Sequence, residues 1–403
     1  MRVETAFKRL LGIAGVGVAG VRFEQDDVVV RVRLRRQLVC SRCGCVGGAG
    51  YDQRLRRWRH LDVARRRCFL EYPLRRFACP GCRRVVSEAV PWARPRARFT
   101  RAFEQLVAWL GQQSAFSVIG RLLRVTWRSV ARIVSRVVAE RPPRLEGLKR
   151  IGVDEVSYRR GRRFLTVVVD HDSGRVVWVG EGHSQQTLAG FFDELGPERT
   201  AALQAVSVDM WAGYLKALRT RAPQAAICID PFHVVQQANK ALETVRKQQW
   251  RRLQATGAPA RWLQQTRWAV LKRPELLNER QTDTLALLER ENKPLYQAYL
   301  LKEQLRAIYT VTPPTAAAAL LDNWLETASQ SELPAFQRLA RMLKRHRTGI
   351  QNAIEHNLSN GRIEALNARI RLINHRSYGF HSPKPLTALI HLCCGHITIT
   401  LPT

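Results

Sequence analysis

Acidic residues are the scarce component of this chain. Its 403 residues carry 33 Asp plus Glu against 66 Lys plus Arg, a formal net charge of +33. That exceeds what solubility needs and points to a polyanionic partner. Long apolar runs are missing as well. No stretch approaches the ~18 uninterrupted apolar residues of a membrane span, and the Gly-rich Leu10–Val21 segment is not the compact apolar core of a secretory signal. A cytoplasmic, nucleoid-associated protein is the expectation, with no membrane partner. No internal repeat or low-complexity segment is evident. Cysteine comes in the odd number of nine, which in a reducing compartment suggests metal ligation and argues against disulfides. The remaining composition, 45% hydrophobic and 25% charged, suits a folded protein long enough for two or three domains.

The positive charge is concentrated at the front. Residues 1–150 hold 33 basic and 11 acidic groups, so they carry +22 of the +33. After a short possible helix, Val28–Leu34 alternates like a strand. Cys40-Ser-Arg-Cys43 follows, and after 35 intervening residues comes Cys79-Pro-Gly-Cys82. Two such knuckles offer four thiolates, the set that a tetrahedral structural Zn²⁺ prefers. Cys68–Phe77 reads as a strand entering the second knuckle, as in a zinc ribbon. Cys45 and Cys68 read as small buried filler. Arg54, Arg56, Arg57, Arg59, Arg65, Arg66 and Arg67 are dense enough to suggest phosphate contact.

Residues 100–140 read as three helices. The first spans Thr100–Leu110 and stops at Gly111. The second, Ser117–Leu123, points Val118, Ile119, Leu122 and Leu123 inward. Thr126 caps a third that runs to about Ala139. In that last helix Val130, Ile133, Val134 and Val137 form the apolar face, and Arg128, Arg132 and Arg136 a basic stripe. Helix, short turn and basic helix fit a helix-turn-helix whose last helix enters the major groove; the competing reading is a three-helix bundle with a solvated face. Pro142-Pro143 marks a linker.

From Lys149 the pattern turns to strands: Ile151–Tyr158, Phe164–Asp170, Arg175–Gly180, Ala205–Asp209 and Ala225–Asp230, with helices at Thr187–Leu195 and Trp211–Arg221. Arg159–Arg163 form the first hairpin, with Gly161 at the tip. The order β-β-β-α-β-α-β is that of an RNase H-like domain. Asp154 stands in the middle of the first strand, where a buried carboxylate costs several kcal/mol unless a cation meets it. Glu155 falls on the opposite sheet face by period two and outside the site. Asp170 is as readily a turn cap as a ligand, and Trp211 reads as packing against the sheet. Residues 234–356 contain no convincing strand and read as a helical insertion. A helix capped by Ser359 or Asn360 follows, with Ile363, Leu366, Ile370 and Ile373 buried and Glu364, Asn367 and Arg371 on a polar stripe. Asp154, Asp209 and Glu364 are the candidate triad. Two like charges side by side call for divalent cations. Their hard oxygens favour two Mg²⁺ or Mn²⁺ ions about 4 Å apart at a phosphodiester.

The motifs Ile-Gly-Val-Asp154-Glu-Val-Ser, Val-Asp209-Met-Trp, Asp230-Pro-Phe-His233 and Arg362-Ile-Glu364-Ala-Leu-Asn367, with the two cysteine knuckles and Asn374-His-Arg-Ser-Tyr-Gly-Phe380, resemble the DDE transposases of bacterial insertion sequences. The chain is most similar to the ISL-three group, over nearly its whole length and in the family's order. The resemblance implies that Asp154, Asp209 and Glu364 bind the catalytic metal, with an all-helical insertion in the 154 residues between the second and third. Asp230, His233 and Asn367 are auxiliary candidates. The implied architecture is multidomain α/β. It comprises a zinc-ribbon-like domain (1–92), a helix-turn-helix (93–141), the first part of an RNase H-like core (142–233), the insertion (234–356), and the second part of the core with a tail (357–403). The implied activity is binding of terminal inverted repeats, followed by metal-dependent strand cleavage and transfer. DNA is then the partner, a homodimer or larger assembly holds the two ends, and no small-molecule substrate is involved. A DNA-binding regulator with an inactive scaffold and a structure-specific nuclease are the alternatives.

Overall fold

A computed structural model of the chain describes residues 2–142, 145–159, 161, 163–257, 261–358, 361–377, 379–380 and 382–401, without the Arg362 side chain. The proposed caps Ser359 and Asn360, and hairpin positions 160 and 162, lie outside the described residues. Two compact units emerge. One is Met1–Pro142 with Lys384–Cys393 and Ile397–Thr403; the other is Pro143–Pro383 with Cys394–His396.

The first unit opens with α1 (Val3–Leu11) and a sheet of β1 (Val16–Glu24), β2 (Asp27–Leu34), β3 (Ala49–Val63), β4 (Arg66–Cys79) and β5 (Arg84–Ser87). The order is β1-β2-β4-β3, with β5 on the end of β4; β2 and β4 run parallel. Alternation sends Val28, Val30 and Val32 of β2 to the same core as Cys68, Leu70, Tyr72 and Leu74 of β4, with Trp58 and Phe7. Cys68 is thus buried filler, and burial pushes its thiol up to about 11. The 15-residue β3 escapes a sequence reading because its stretch from Arg54 to Arg59 looks like a charge run. Long arginine stems tolerate a pleated surface when their heads find partners. Arg57 and Arg31 flank Glu71 in register across β3, β4 and β2. Both guanidiniums, with that of Arg22, reach the buried Glu71 carboxylate (2.8 Å from Arg57).

The helices α2 (Arg101–Gln113), α3 (Phe116–Leu123) and α4 (Trp127–Ala139) follow. Thr100 and Thr126 cap α2 and α4, accepting from the backbone N–H of Phe103 and Ser129. The first helix runs through Gly111 and does not end there. A Cβ at Gly111 would lie 3.4 Å from Leu392 and Val134, so glycine marks close helix packing and not a stop. Gln112 donates to the carbonyls of Leu392 (3.0 Å) and Ile397 (3.1 Å), tying in the last thirty residues that the sequence left unplaced. In α3, Ile119 and Leu123 point inward as expected, but Val118 and Leu122 are exposed. One eight-residue helix buries only the stripe that meets its neighbours. Beneath these helices, Glu104 is fully buried between Arg94 and Arg136, and Arg94 also reaches Glu140.

The second unit contains β6 (Arg150–Arg159), β7 (Arg163–Asp170), β8 (Val176–Glu181), α5 (Gln185–Leu195), α6 (Pro197–Ala201), β9 (Ala205–Val208), α7 (Ala212–Arg221) and β10 (Ala226–Ile229). Its sheet order is β10-β9-β6-β7-β8, with β10, β9 and β6 parallel and β7 and β8 antiparallel. Asp170 caps the β7–β8 turn, accepting from Asp172 N–H and the Ser173 hydroxyl. Only helices then follow among the described residues. They are α8 (Pro231–Ala255), α9 (Arg261–Gln265), α10 (Arg267–Leu271) and α11 (Glu279–Glu291). After them come α12 (Lys293–Ile308), α13 (Pro314–Gln330), α14 (Pro334–Arg345) and α15 (Arg347–Glu355). Their apolar faces, including Leu242, Leu305, Trp324 and Phe336, join one core with Ile151, Val153, Phe191 and Tyr214 around the sheet. Helix α16 (Gly361–Arg376) lies along β6; α17 (Pro383–Cys394) belongs almost wholly to the first unit.

In the first unit, β3 is fastened to α2 through His60, whose Nδ1 sits 2.9 Å from the Thr100 hydroxyl. Burial, with the adjacent Arg59 charge, lowers the His60 pKa from 6.5 to about 4. The unfolded chain therefore binds this proton where the folded one does not. Its contribution is complete above pH ~6.5 and lost as pH falls toward 4, a change of about 3 kcal/mol. His60→Gln should lose less stability than the parent between pH 7 and 4.5, as read from urea midpoints. Equal acid sensitivity in the two proteins would refute the assignment.

Candidate metal centres and nucleic-acid interface

The cysteine knuckles meet at one end of the first sheet. Cys40 and Cys43 follow β2, while Cys79 ends β4 and Cys82 lies in the turn into β5. Their four sulfurs all lie within 4.8 Å of one another, with 3.7 Å between Cys40 and Cys82 and 3.6 Å between Cys43 and Cys79. Backbone N–H groups of Arg42 and Cys82 point at the Cys40 and Cys79 sulfurs (3.3 and 3.4 Å). That is how a knuckle steadies thiolates around zinc. Cys45 stays outside this quartet.

The second constellation is built on β6. Gly152 has no room for a side chain: a Cβ there would lie 2.0 Å from Ile363 of α16 and 2.9 Å from Ser207. This fixes the face of β6 that α16 covers. Two residues on, Asp154 has the same face, and its Oδ2 accepts from the Asn367 amide at 2.6 Å. Asn367 follows Ile363 by one helical turn and is buried. Further along, the Asn374 amide donates to the Tyr158 carbonyl at 2.9 Å. Parallel pairing sets Gly152 opposite Ser207, so Asp209, just past the end of β9, stands at the level of Asp154. One Asp209 oxygen accepts from Trp211 N–H at 3.0 Å. His233, in the first turn of α8, lies 3.9 Å from Asp154 and 3.7 Å from Asp230. Asp230 caps α8 by accepting from Phe232 N–H.

These groups act on one another. Burial pushes the Asp154 pKa up, Glu155 N–H and His233 pull it down, and the charges of Asp230 and Asp209 raise it again. Glu155 was expected outside the site, and its side chain does face away from α16. It is nevertheless half-buried, 3.9 Å from His183, and its desolvation with the charges of Asp209 and Asp154 pushes it up to about 7. His183 in turn stacks on Trp211 at 4.2 Å and meets Tyr214. The Asp-Glu pair in sequence was the available signal for this outer group. Asn367, expected beside Glu364, serves Asp154. Glu364 lies next to Ile363 on α16 and is exposed. Among the described residues the cysteine quartet is the only set of three or more metal-donor side chains within 4.8 Å; Asp154, Asp209 and Glu364 do not gather so closely.

The candidate DNA arginines divide. Arg59 is buried, donates to the His60 carbonyl and pairs with Asp62, and Arg136 is taken up by Glu104. Arg57 and Arg67 pair with acids, Arg57 with Glu24 and Glu71, Arg67 with Asp27. Arg66 donates to the Gln25 carbonyl. Arg56 leans over Trp58 at 5.0 Å, and Arg128 over Trp127 at 5.5 Å. Arg54, Arg65 and Arg132 are exposed.

Three family models fit this layout in order. A zinc-finger of transposases IS204, IS1001, IS1096 and IS1165 matches residues 36–82. A helix-turn-helix domain of transposase family ISL3 matches 88–138. The ISL3-type DDE model, described as "Transposase", matches 151–390. This chain belongs to the ISL3 family of transposases. It is 40% identical over 437 residues to the transposase for insertion sequence element IS1557 of Mycobacterium tuberculosis, covering 100% of this chain and 98% of that protein. It is 29% identical over 379 residues to the transposase for insertion sequence element IS1001 of Bordetella parapertussis, covering 92% and 93%. The transposase is thus a multidomain α/β protein with a zinc ribbon and a DNA-binding helix-turn-helix, and its cysteine quartet is a structural zinc site. No helix among the described residues is long and apolar enough to cross a membrane.

Metal analysis of the purified transposase should find one tightly held zinc per chain. Cys79→Ser with Cys82→Ser should remove it, together with the ordered β4–β5 end. A zinc-free parent that keeps its fold would rule the site out.

Proposed function

We propose that this transposase binds the terminal inverted repeats of its element. It then cleaves and joins DNA at a two-metal site held by Asp154, Asp209 and Glu364, within an RNase H-like core interrupted by an all-helical insertion at 234–356. The observation that supports this reading is the parallel pairing of β6 with β9 up to Gly152 opposite Ser207, with Asp154 and Asp209 each two residues further along, together with the Asn367–Asp154 bond from α16. The donor set fits Mg²⁺ or Mn²⁺: its oxygens are hard, and the like-charge conflict at Asp154 is of the kind a cation relieves. Asp154 and Asp209 would hold divalent ions from the sheet side and Glu364, exposed on α16, from the helix side.

Within this reading each side chain has work of its own. Asn367 holds the Asp154 carboxylate in one orientation, and Trp211 N–H does the same for Asp209. His233, close to Asp154 and Asp230, is positioned to meet a phosphate oxygen or a proton near the scissile bond. Divalent ions, once bound, supply activation of the attacking hydroxyl and stabilisation of the leaving 3′ oxygen. Water as nucleophile gives strand cleavage; the freed 3′-OH as nucleophile gives joining to target DNA. The zinc ribbon would contact phosphates and α4 base edges. Two ends must be held together, so a homodimer or larger assembly is the working form.

The test is cleavage and strand transfer on duplexes carrying the element's ends in Mn²⁺. Asp154→Asn, Asp209→Asn and Glu364→Gln should each abolish both steps and leave end-binding intact. Binding by the parent without any cleavage would favour a regulator instead, and cleavage without joining a nuclease. Asn367→Ala should cost about 10–100-fold in activity or metal affinity, as for other groups that orient a ligand. Unchanged rates at limiting metal would remove Asn367 from the site.

A further inference from the structure

A cleft of about 590 Å³ opens in the first unit beside the zinc knuckle, between the end of the sheet and the segment 89–101 that leads into α2. Six arginines line it: Arg42, Arg56, Arg76, Arg94, Arg96 and Arg101. Three are answered by acids. Arg76 pairs with Asp52 (2.6 Å), Arg94 with Glu104 and Glu140, and Arg101 lies 3.7 Å from Glu140. Glu88, the acid in the wall, is held by Arg75 at 2.6 Å.

Arg42, Arg56 and Arg96 have no carboxylate partner among the described residues. Arg56 is half-buried, and its one polar contact is the Ala97 carbonyl at 2.7 Å. Burial and the charge of Arg98 lower its pKa. Arg96 is exposed and held at φ +61°, a strained backbone for an L residue, of the kind that clusters at binding sites. Three guanidiniums without carboxylate partners line one concavity and give it a positive potential. An anion is the complementary ligand. The volume suits a bound ligand, but the charged wall excludes an apolar one. Trp58 is buried beneath Arg56 and offers no face for a base to stack on.

We propose that this cleft seats the sugar-phosphate backbone of duplex DNA, with Arg42, Arg56 and Arg96 as its phosphate ligands. It would be a contact distinct from the base-reading helix α4, and it deepens the end-binding reading on which it rests. Such a contact adds affinity and register without sequence information.

The experiment uses the full-length, zinc-loaded protein and labelled 30-bp duplexes, one from the element's end and one of random sequence, titrated across 50–200 mM salt. Arg42→Gln with Arg96→Gln should reduce the slope of log K against log salt by about 2, near 0.9 per phosphate. The reduction should be the same on both duplexes. Zinc content and melting temperature should match the parent, because both side chains are exposed. Arg96→Gln alone should remove about 1 from the slope, which keeps the test decisive should the double variant lose zinc. The control is Arg33→Gln with Arg35→Gln, two exposed arginines outside the cleft. A parent-like slope in the cleft variants, or an equal fall in the control, overturns the proposal. A parent that binds neither duplex overturns the end-binding reading itself.

Discussion

The Asp154 carboxylate sits on the middle strand of a five-stranded sheet, where an ionised group costs several kcal/mol unless charge or hydrogen bonds answer it. Much of the second unit is arranged around that constraint. The Glu155 N–H and the Asn367 amide each donate to one of its oxygens, and His233 approaches within 4 Å. Gly152 is bare so that Ile363 can press into the sheet, and that contact sets the height at which Asn367 arrives one turn later. Filling Gly152 would lift α16 and leave Asp154 without its amide. The neighbours nevertheless overshoot in the wrong sign. Asp209 and Asp230 add negative charge, and Asp154 ends with its pKa raised. A fold that gathers acids this way, in a chain with twice as many basic as acidic groups, leaves a conflict that hydrogen bonds alone do not remove.

The first unit meets the opposite problem, an excess of guanidinium, and meets it with a few buried acids. Glu71 gathers Arg22, Arg31 and Arg57; Glu104 gathers Arg94 and Arg136; Glu88 holds Arg75. Each acid is fully or almost fully buried, and its partners are more exposed, apart from Arg94. Breaking such a set by removing the acid would strand like charges, which is far costlier than losing a surface pair. These acids therefore decide which arginines stay at work inside the fold and which remain available. Arg59 and Arg136 belong to the fold. A basic stripe at helical spacing could not reveal that, because the acid that captures Arg136 lies 32 residues away on another helix.

Local features were legible in the sequence and long-range ones were not. The cap Thr126, the strands around Asp154 and Asp209, and the cysteine spacing all depend on neighbours a few residues apart. Gly111 misled because a glycine that ends a helix and one that admits a packing partner look alike in sequence. Strand β3 was hidden because its Arg57 is satisfied by Glu24 of β1 and Glu71 of β4, which no period within the segment encodes. The bond from Asn367 to Asp154 spans 213 positions; the sequence offered Asn367 its nearest carboxylate, Glu364, and the fold supplied a different one. Period two sent Glu155 away from the site, yet burial and the charges of Asp209 and Asp154 all raise its pKa.

The exposure of Glu364 follows from the same seam that orders Asp154. Ile363 and Asn367 occupy the inward line of α16, and a helix turns about 100° per residue, so Glu364 is carried to the flank. Of the three carboxylates in the proposed triad it is the one that keeps its hydration, and it adds no further repulsion to Asp154 and Asp209. Had it sat at the Asn367 position, the sheet would face three anions at once and α16 would be driven off β6. An amide on the seam with the acid beside it gives the helix a neutral anchor and leaves the third charge in solvent. On that argument the order Ile-Glu-x-x-Asn is a packing solution as much as a chemical one.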